Sequence, residues 1–267
     1  MRLGEYIELF IRATAVEMEK PRAYGAFHLI FAFVGVALCV LAAYALRNVS
    51  EKKNRAILIG VGVFLMLTEV YKQLFYYYVV GNHSYEWWIF PFQLCSVPMY
   101  LCVIAPLLKK GRLQSGMYHF MSTYNLLGGL MALIEPSGLL HEYLTLTLHA
   151  FIWHVLLIFI GFYLIATGRY AKTLADFRNA TYTFLFLCVV AFCINLIFWQ
   201  ASEGTINMFY VGPRYSPLIV FKQISKNIGW YASTALYIPA VCLGAFVIYL
   251  PARWYAKRRG LLPDNNC

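Results

Sequence analysis

Seven long apolar runs dominate this sequence and restrict it to a bundle of membrane-spanning helices. Each run is close to the roughly 20 residues that a helix needs to cross the hydrocarbon core of a bilayer. The runs are residues 26–46, 56–80, 90–108, 115–134, 145–166, 180–200 and 230–250. Only 13% of the residues are charged, whereas a soluble domain has about 25%. We therefore predict an all-α, polytopic membrane protein whose seven transmembrane helices form one domain, residues 26–250.

The two ends of the chain differ from the apolar runs. Residues 1–25 place apolar and charged side chains at spacings of three and four, which predicts an amphipathic helix on the membrane surface that ends at Pro21. This segment carries charges of both signs and has no apolar core, so we expect no cleavable signal peptide. Residues 251–267 are predicted to form a basic tail.

The net charge of +10 indicates an orientation in the membrane rather than binding of nucleic acid, because the basic residues lie in short loops. Loops 47–55, 109–114 and 167–179 carry four, three and three Lys and Arg residues, and the C-terminal tail carries four. Loops 81–89 and 135–144 carry none. The positive-inside rule then places the N-terminus outside the cell membrane and the C-terminus in the cytoplasm.

The cysteines do not have the spacing of a metal site or a disulfide framework. Six of the seven lie in apolar runs, and no two are spaced as a CxxC pair. We therefore expect no metal site and no cofactor. The positions are Cys39, Cys95, Cys102, Cys188, Cys193, Cys242 and Cys267.

The start of the third apolar run contains the most unusual combination of residues. Pro91 stands where a helix can begin without losing a hydrogen bond, and Pro98 is expected to interrupt the backbone ladder. Gln93 and Cys95 lie between them, which indicates a helix that lines a cavity rather than facing lipid. Cys95 is either a small buried packing thiol or a nucleophile.

Other polar side chains lie inside the apolar runs and suggest a shared cavity. Glu69 and Lys72 are three residues apart and can pair, either as a structural ion pair or as part of a site. His149 and His154 are five apart, about 140° around a helix, so they do not share a face. The rise of a helix places these groups, with His28, Asn195 and the following loop residue Asn207, toward the outer half of the bilayer.

These residues resemble a known family. Pro-Phe-Gln-Leu-Cys at 91–95, the pair Glu69 and Lys72, His154 in Phe-Ile-Trp-His and the loop around Asn207 are similar to the YwaF-like bacterial integral-membrane proteins. The eukaryotic relative of that family is a multi-spanning acyltransferase that remodels ether phospholipids. More distant relatives are the androgen-induced fatty-acid-ester hydrolases.

The resemblance implies a Cys-His pair, Cys95 and His154, that acts on acyl esters of membrane phospholipids. His149 lies near the depth of Cys95 and is an alternative partner. Gln93, Ser96 or Asn195 are candidate donors to a developing oxyanion. The other prediction is a binder or transporter without enzymatic activity, in which the ionisable groups, the histidines and the amides hold a polar solute or a proton. The sequence does not indicate an oligomeric state.

Overall fold

A computed structural model describes residues 3–258 and 260–261, which contain ten α-helices and one isolated bridge pair. The prediction of an all-α, multi-pass membrane protein is confirmed. The helices are α1 Leu3–Ala13, α2 Ala26–Ala45, α3 Glu51–Phe75, α4 Val97–Ile104, α5 Arg112–Phe120, α6 Leu126–Ile134, α7 Leu144–Ala166, α8 Leu174–Ile197, α9 Ile219–Ile228 and α10 Trp230–Arg258.

Five helices in the described residues are long and apolar enough to cross a membrane, so the count of seven is not confirmed. They are α2, α3 with the π-turn that extends it to Val80, α7, α8 and α10. The fourth apolar run is helical throughout, but a π-turn at Met121–Asn125 divides it into α5 and α6. Polar side chains bond the carbonyls near this turn: Asn125 Nδ2 donates to Met121 O at 3.1 Å and to Leu157 O at 2.9 Å.

The third apolar run is helical only in its second half. Residues 90–96 are irregular, and α4 begins at Val97 with Pro98 in its first turn, where proline removes no helical hydrogen bond. The predictions that Pro91 begins a helix and that Pro98 interrupts one are therefore wrong.

Hydrogen bonds explain why the helix begins late. The peptide N–H groups of Ser96 and Val97 both donate to Gln93 O, at 2.8 and 3.2 Å, which forms a tight turn around Cys95. The Tyr100 hydroxyl donates to Pro91 O, within this irregular stretch, at 2.8 Å. Cys95 therefore lies in a turn just before α4 rather than inside a helix.

The ends of the chain also differ from the prediction. The amphipathic helix α1 ends at Ala13, because the following residues pair with the start of α7 instead. Met18 N donates to Glu142 O at 2.8 Å, and Leu144 N donates to Val16 O at 2.9 Å. At the other end α10 continues to Arg258, so the first part of the predicted tail is helical. Apart from residues 260 and 261, the rest of that tail lies outside the described residues.

Helix α7 is at the centre of the bundle. It is the most buried of the five long helices: 44% of its apolar stretch is buried, against 17–33% for the others. It packs against α2, α3, α6 and the π-turn between α5 and α6. Side chains on α7 can therefore reach several elements at once.

Close packing of α3 on α4 yields a test of the fold. A methyl group at Gly62 would lie 2.9 Å from Met99 O and 2.8 Å from the Val103 side chain, whereas Gly60 has no atom within 4 Å. We expect Gly62→Ala to lower the free energy of unfolding by about 1–3 kcal/mol. Gly60→Ala should be neutral or stabilising, by up to about 1 kcal/mol. Thermal unfolding in detergent compares the two, and equal melting temperatures would contradict this packing.

Candidate functional site

Cys95 is fixed in place by a hydrogen bond from the central helix. The indole Nε1 of Trp153 on α7 donates to Cys95 O at 3.0 Å. Trp153 is buried, and Cys95 is partly exposed. The bond gives the Cys95 carbonyl, which lies outside any helix, a hydrogen-bond donor, and it holds the residue next to α7.

Two side-chain amides hold the loop between α8 and α9 against the Cys95 turn. Gln93 donates to Asn207 O at 3.1 Å and accepts from Phe209 N at 3.0 Å. Asn195 on α8 donates to Met208 O at 3.1 Å and accepts from Met208 N at 2.6 Å. Each amide thus replaces a missing backbone partner at membrane depth.

Two adjacent non-glycine residues of the same loop lie in the left-handed region. Phe209 has φ 55° and Tyr210 has φ 57°, conformations that need support from their surroundings. Asn207 stabilises the backbone that follows these two residues, because its Oδ1 accepts from Gly212 N at 2.9 Å. Asn207 Nδ2 is buried without a hydrogen-bond partner among the described residues.

Glu69 and Lys72 form a buried ion pair on α3, as their spacing predicts. Lys72 Nζ lies 2.8 Å from Glu69 Oε1, and the two side chains are 20% and 5% exposed. Gln73 Nε2 donates to the same Glu69 oxygen at 2.7 Å and to Ile89 O at 2.8 Å. Glu69 Oε2 has no partner within the described part of the chain.

Lys72 is the group that links the ionisable residues. Its ammonium acts electrostatically on Cys95, His149 and His154, and Glu69 acts on Cys95 with the opposite sign. Lys72 Nζ is also 6.0 Å from the centre of the Trp153 ring. The fold therefore brings Cys95, His149 and His154 within electrostatic reach of the predicted ion pair, and these five residues are called the polar cluster here.

The two histidines on α7 differ in their hydrogen bonds. His154 Nδ1 is 2.8 Å from Ala150 O, which can only accept, so Nδ1 carries the proton and Nε2 keeps a free lone pair. His149 stacks at a tilt on Trp153, with ring centres 5.4 Å apart, and its Nε2 is buried without a partner in the described structure. In this tautomer Nε2 is the ring nitrogen that can accept a proton.

Neither histidine bonds directly to the thiol. Across the described residues no hydrogen bond joins Cys95 Sγ to His149 or His154. Catalytic hydrogen bonds are often long before substrate binds.

His28, the remaining histidine of the predicted site, has both ring nitrogens engaged elsewhere. It is 2% exposed, its Nε2 is 2.8 Å from Leu133 O, and its Nδ1 accepts from Tyr24 N at 3.0 Å. The fold therefore uses His28 to join the start of α2 to the end of α6.

Three aromatic residues near the cluster were not predicted. Tyr210 follows Phe209, whose N–H donates to Gln93 beside the Cys95 turn, and the Tyr210 ring meets that of Tyr237 edge-on at 6.4 Å. Tyr85, in the loop after α3, lies close to Glu69; burial and the Glu69 carboxylate raise the pKa of Tyr85 to about 12. In the sequence these residues are indistinguishable from ordinary aromatic residues of a membrane protein, and only the fold brings them together.

An apolar groove between α3 and α7 reaches the cluster from the outside of the bundle. Its volume is about 240 Å³. Its lining is Phe64, Leu65, Thr68, Tyr71, Thr145, Leu148, His149, Ile152 and Trp153. Among the described residues no group of three metal-ligating side chains occurs.

The sequence model of the TMEM164 family, a family of membrane proteins, matches residues 23–250. The match covers most of the chain, which therefore belongs to the TMEM164 family. No curated protein and no solved structure matches it. The likeness to YwaF-like proteins, and the acyl chemistry that this likeness implies, stay predictions.

The buried ion pair can be tested by a double-mutant cycle. Glu69→Gln or Lys72→Met leaves an uncompensated buried charge, so each should cost about 3–5 kcal/mol of stability, and the double variant should cost less than their sum. Unfolding in detergent gives the three values. The exposed pair Glu8 and Arg12 is the control, and Glu8→Gln should change little. Additive losses at Glu69 and Lys72 would mean that the two groups do not interact.

Proposed function

We propose that this protein is a membrane-embedded acyltransferase or acyl-ester hydrolase in which Cys95 is the nucleophile and His154 the general base. The observation that carries the proposal is the His154 tautomer: its Nε2 lone pair is free, on the same helix whose Trp153 holds Cys95. A thiol needs an adjacent base or cation to become an effective nucleophile. In this proposal Lys72 is the cation that acts on Cys95, and His154 is the base that reaches the thiol once substrate is bound.

The reaction follows from these roles. His154 Nε2 takes the thiol proton while Cys95 Sγ bonds to the carbonyl carbon of the ester, whose oxygen becomes an oxyanion. Collapse of this intermediate breaks the ester C–O bond, and the leaving alcohol takes the proton from His154. A second alcohol, or water, then attacks the thioester with His154 again as base. The first route is transfer and the second is hydrolysis.

Membrane phospholipids or other fatty acyl esters are the proposed substrates. The groove between α3 and α7 is lined mainly by apolar side chains and ends at His149 and Trp153, beside the cluster. A fatty acyl chain in this groove would bury its methylene groups at the side from which lipid can enter.

A non-enzymatic binder or transporter is the second candidate. It is favoured by Glu69 Oε2 and His149 Nε2, which are buried without partners in the described structure and could bind a polar solute or a proton. Such a protein should not require the thiol of Cys95.

We further propose that the protein lies in the cell membrane with loop 81–89 outside. This orientation follows from the Lys and Arg counts of the loops. It places the Cys95 turn and the groove in the outer half of the bilayer.

The first prediction tests the catalytic pair. Purified protein given labelled phospholipids should transfer or release acyl groups, and Cys95→Ala, Cys95→Ser and His154→Ala should each lower turnover by about 10³-fold or more. His149→Ala should be less severe, because the proposal assigns the general base to His154. Mass spectrometry should find an acyl group on Cys95 of the wild type. Wild-type turnover in both Cys95 variants would contradict the mechanism and favour the binder or transporter.

The second prediction tests orientation. In a cysteine-free variant, Ser84→Cys should react with an impermeant thiol reagent on intact cells, whereas Lys110→Cys should react only after permeabilisation. Both positions are exposed, so accessibility differs only by side of the membrane. The reverse labelling pattern would move the proposed cavity to the inner leaflet.

A further inference from the structure

The groove between α3 and α7 has a polar end and an apolar end. Tyr71 and Thr145 line the polar end, and both bond to the segment after α1: the Tyr71 hydroxyl lies 2.7 Å from Thr14 Oγ1, and Thr145 Oγ1 donates to Thr14 O at 3.1 Å. Phe64 and Ile152 line the apolar end, about 10 Å further along their helices. Their side chains are 47% and 43% exposed on the outside of the bundle, where lipid can enter. A single-chain lipid has the same division between head and tail.

Most polar groups that line this groove already have hydrogen bonds. The two hydroxyls at the polar end are engaged as described above. Thr68 Oγ1 donates to Leu65 O at 3.0 Å, and Trp153 Nε1 donates to Cys95 O at 3.0 Å. The ring of His149 interacts with the Thr68 backbone, but its Nε2 is buried without a partner among the described residues. This nitrogen is therefore the buried polar atom of the described lining that still lacks a hydrogen bond.

A water molecule is a poor partner for this nitrogen. A buried water needs two to four polar partners, and the described lining leaves only His149 to supply one. Leaving the nitrogen unpaired is also unfavourable, because a buried polar atom without a hydrogen bond costs more than the bond would contribute. A lipid meets both conditions, since its chain fills the apolar end while its polar group reaches the ring.

We infer that this groove binds a single-chain lipid whose neutral hydroxyl forms a hydrogen bond with His149 Nε2. His149 lies one helical turn from Thr145, about 6 Å from the polar end, where the head of such a lipid would lie. A hydroxyl can donate to a lone pair or accept from an N–H, so it satisfies either tautomer of the ring. A carboxylate or an ammonium group would bring an unpaired charge into an apolar groove.

The inference rests on the proposed function for the presence of a fatty chain in the groove, and it adds the polar group that the chain must carry. It involves no chemistry at Cys95. Binding and turnover can therefore be measured separately, and each can fail without the other.

The test uses a fatty alcohol that carries a photoreactive diazirine in its chain. Illumination of the purified protein in detergent should attach this probe to the apolar end of the groove, at Phe64 or Ile152, as located by mass spectrometry. Oleyl alcohol should compete with the probe about tenfold better than octadecene, the hydrocarbon that lacks the hydroxyl, because it keeps the hydrogen bond to His149. The two competitors are compared at equal mole fraction in the detergent micelles.

Two histidine variants show whether the preference for the hydroxyl is local. His149→Phe keeps a ring that can stack on Trp153 but has no ring nitrogen, so it should bind oleyl alcohol and octadecene equally well. His119 on α5 is the matched control, because its Nδ1 is also buried without a partner in the described structure but it does not line the groove. His119→Phe should keep the tenfold preference. If His149→Phe fails to fold, the two competitors still decide the question in the wild type.

The outcomes separate this inference from the proposed function. Equal competition by oleyl alcohol and octadecene in the wild type would overturn the role of the hydroxyl, and tenfold stronger competition by oleate would overturn its neutrality. Labelling outside the groove would overturn the site itself. A preference that persists in His149→Phe, or is lost in His119→Phe, would overturn the assignment to His149. Absence of phospholipid turnover with the hydroxyl preference intact would count against the proposed function alone.

Discussion

Irregular backbone inside an apolar bundle must find hydrogen-bond partners within the protein, because lipid offers none. Residues 90–96 and 207–210 are the two stretches where this constraint applies most strongly. Three side chains supply the missing hydrogen bonds: Trp153 on α7, Asn195 on α8 and Gln93 within the first stretch itself. Because each bond ties one element to another, the constraint that makes these stretches costly also joins α7, α8 and the Cys95 turn into one unit.

The position of Cys95 is a consequence of this arrangement. In a continuous helix the thiol would pack against the preceding turn or face lipid. In a turn just before α4, Cys95 is fixed by the hydrogen bond from Trp153 to its backbone carbonyl, and its side chain remains partly exposed. The left-handed residues Phe209 and Tyr210 are stabilised by the same bonds. Local strain at 209–210 is thus tied to the residues that border the thiol, as is common where a site is preorganised.

Hydropathy and spacing predicted the parts of this fold that depend on composition. The long helices and the Glu69–Lys72 pair were predicted because apolar length and a three-residue spacing have direct geometric meaning. The start of α4 was not predicted, because residues 90–96 are as apolar as a membrane-spanning helix. Their irregular path depends on the turn around Gln93 and on the Tyr100 hydrogen bond, which only the structure shows. Sequence could not rank His149 against His154 either, because the difference is the bond to Ala150 O.

The charge balance of the cluster bears on which chemistry it can support. A lone buried Lys72 would favour negative charge at Cys95, but it would also hold any phosphate or carboxylate that entered, including a fatty-acid product. Glu69 opposes both effects, and its bonds to Lys72 and Gln73 keep it beside the ammonium. The neutral pair therefore leaves only a short-range field, which acts on a thiol close to Lys72 and weakens quickly with distance. A site built in this way suits a neutral ester whose charge develops only during reaction, and it is less suited to tight binding of a charged solute. This difference favours acyl chemistry over transport of ions as the role of the Cys95 cluster.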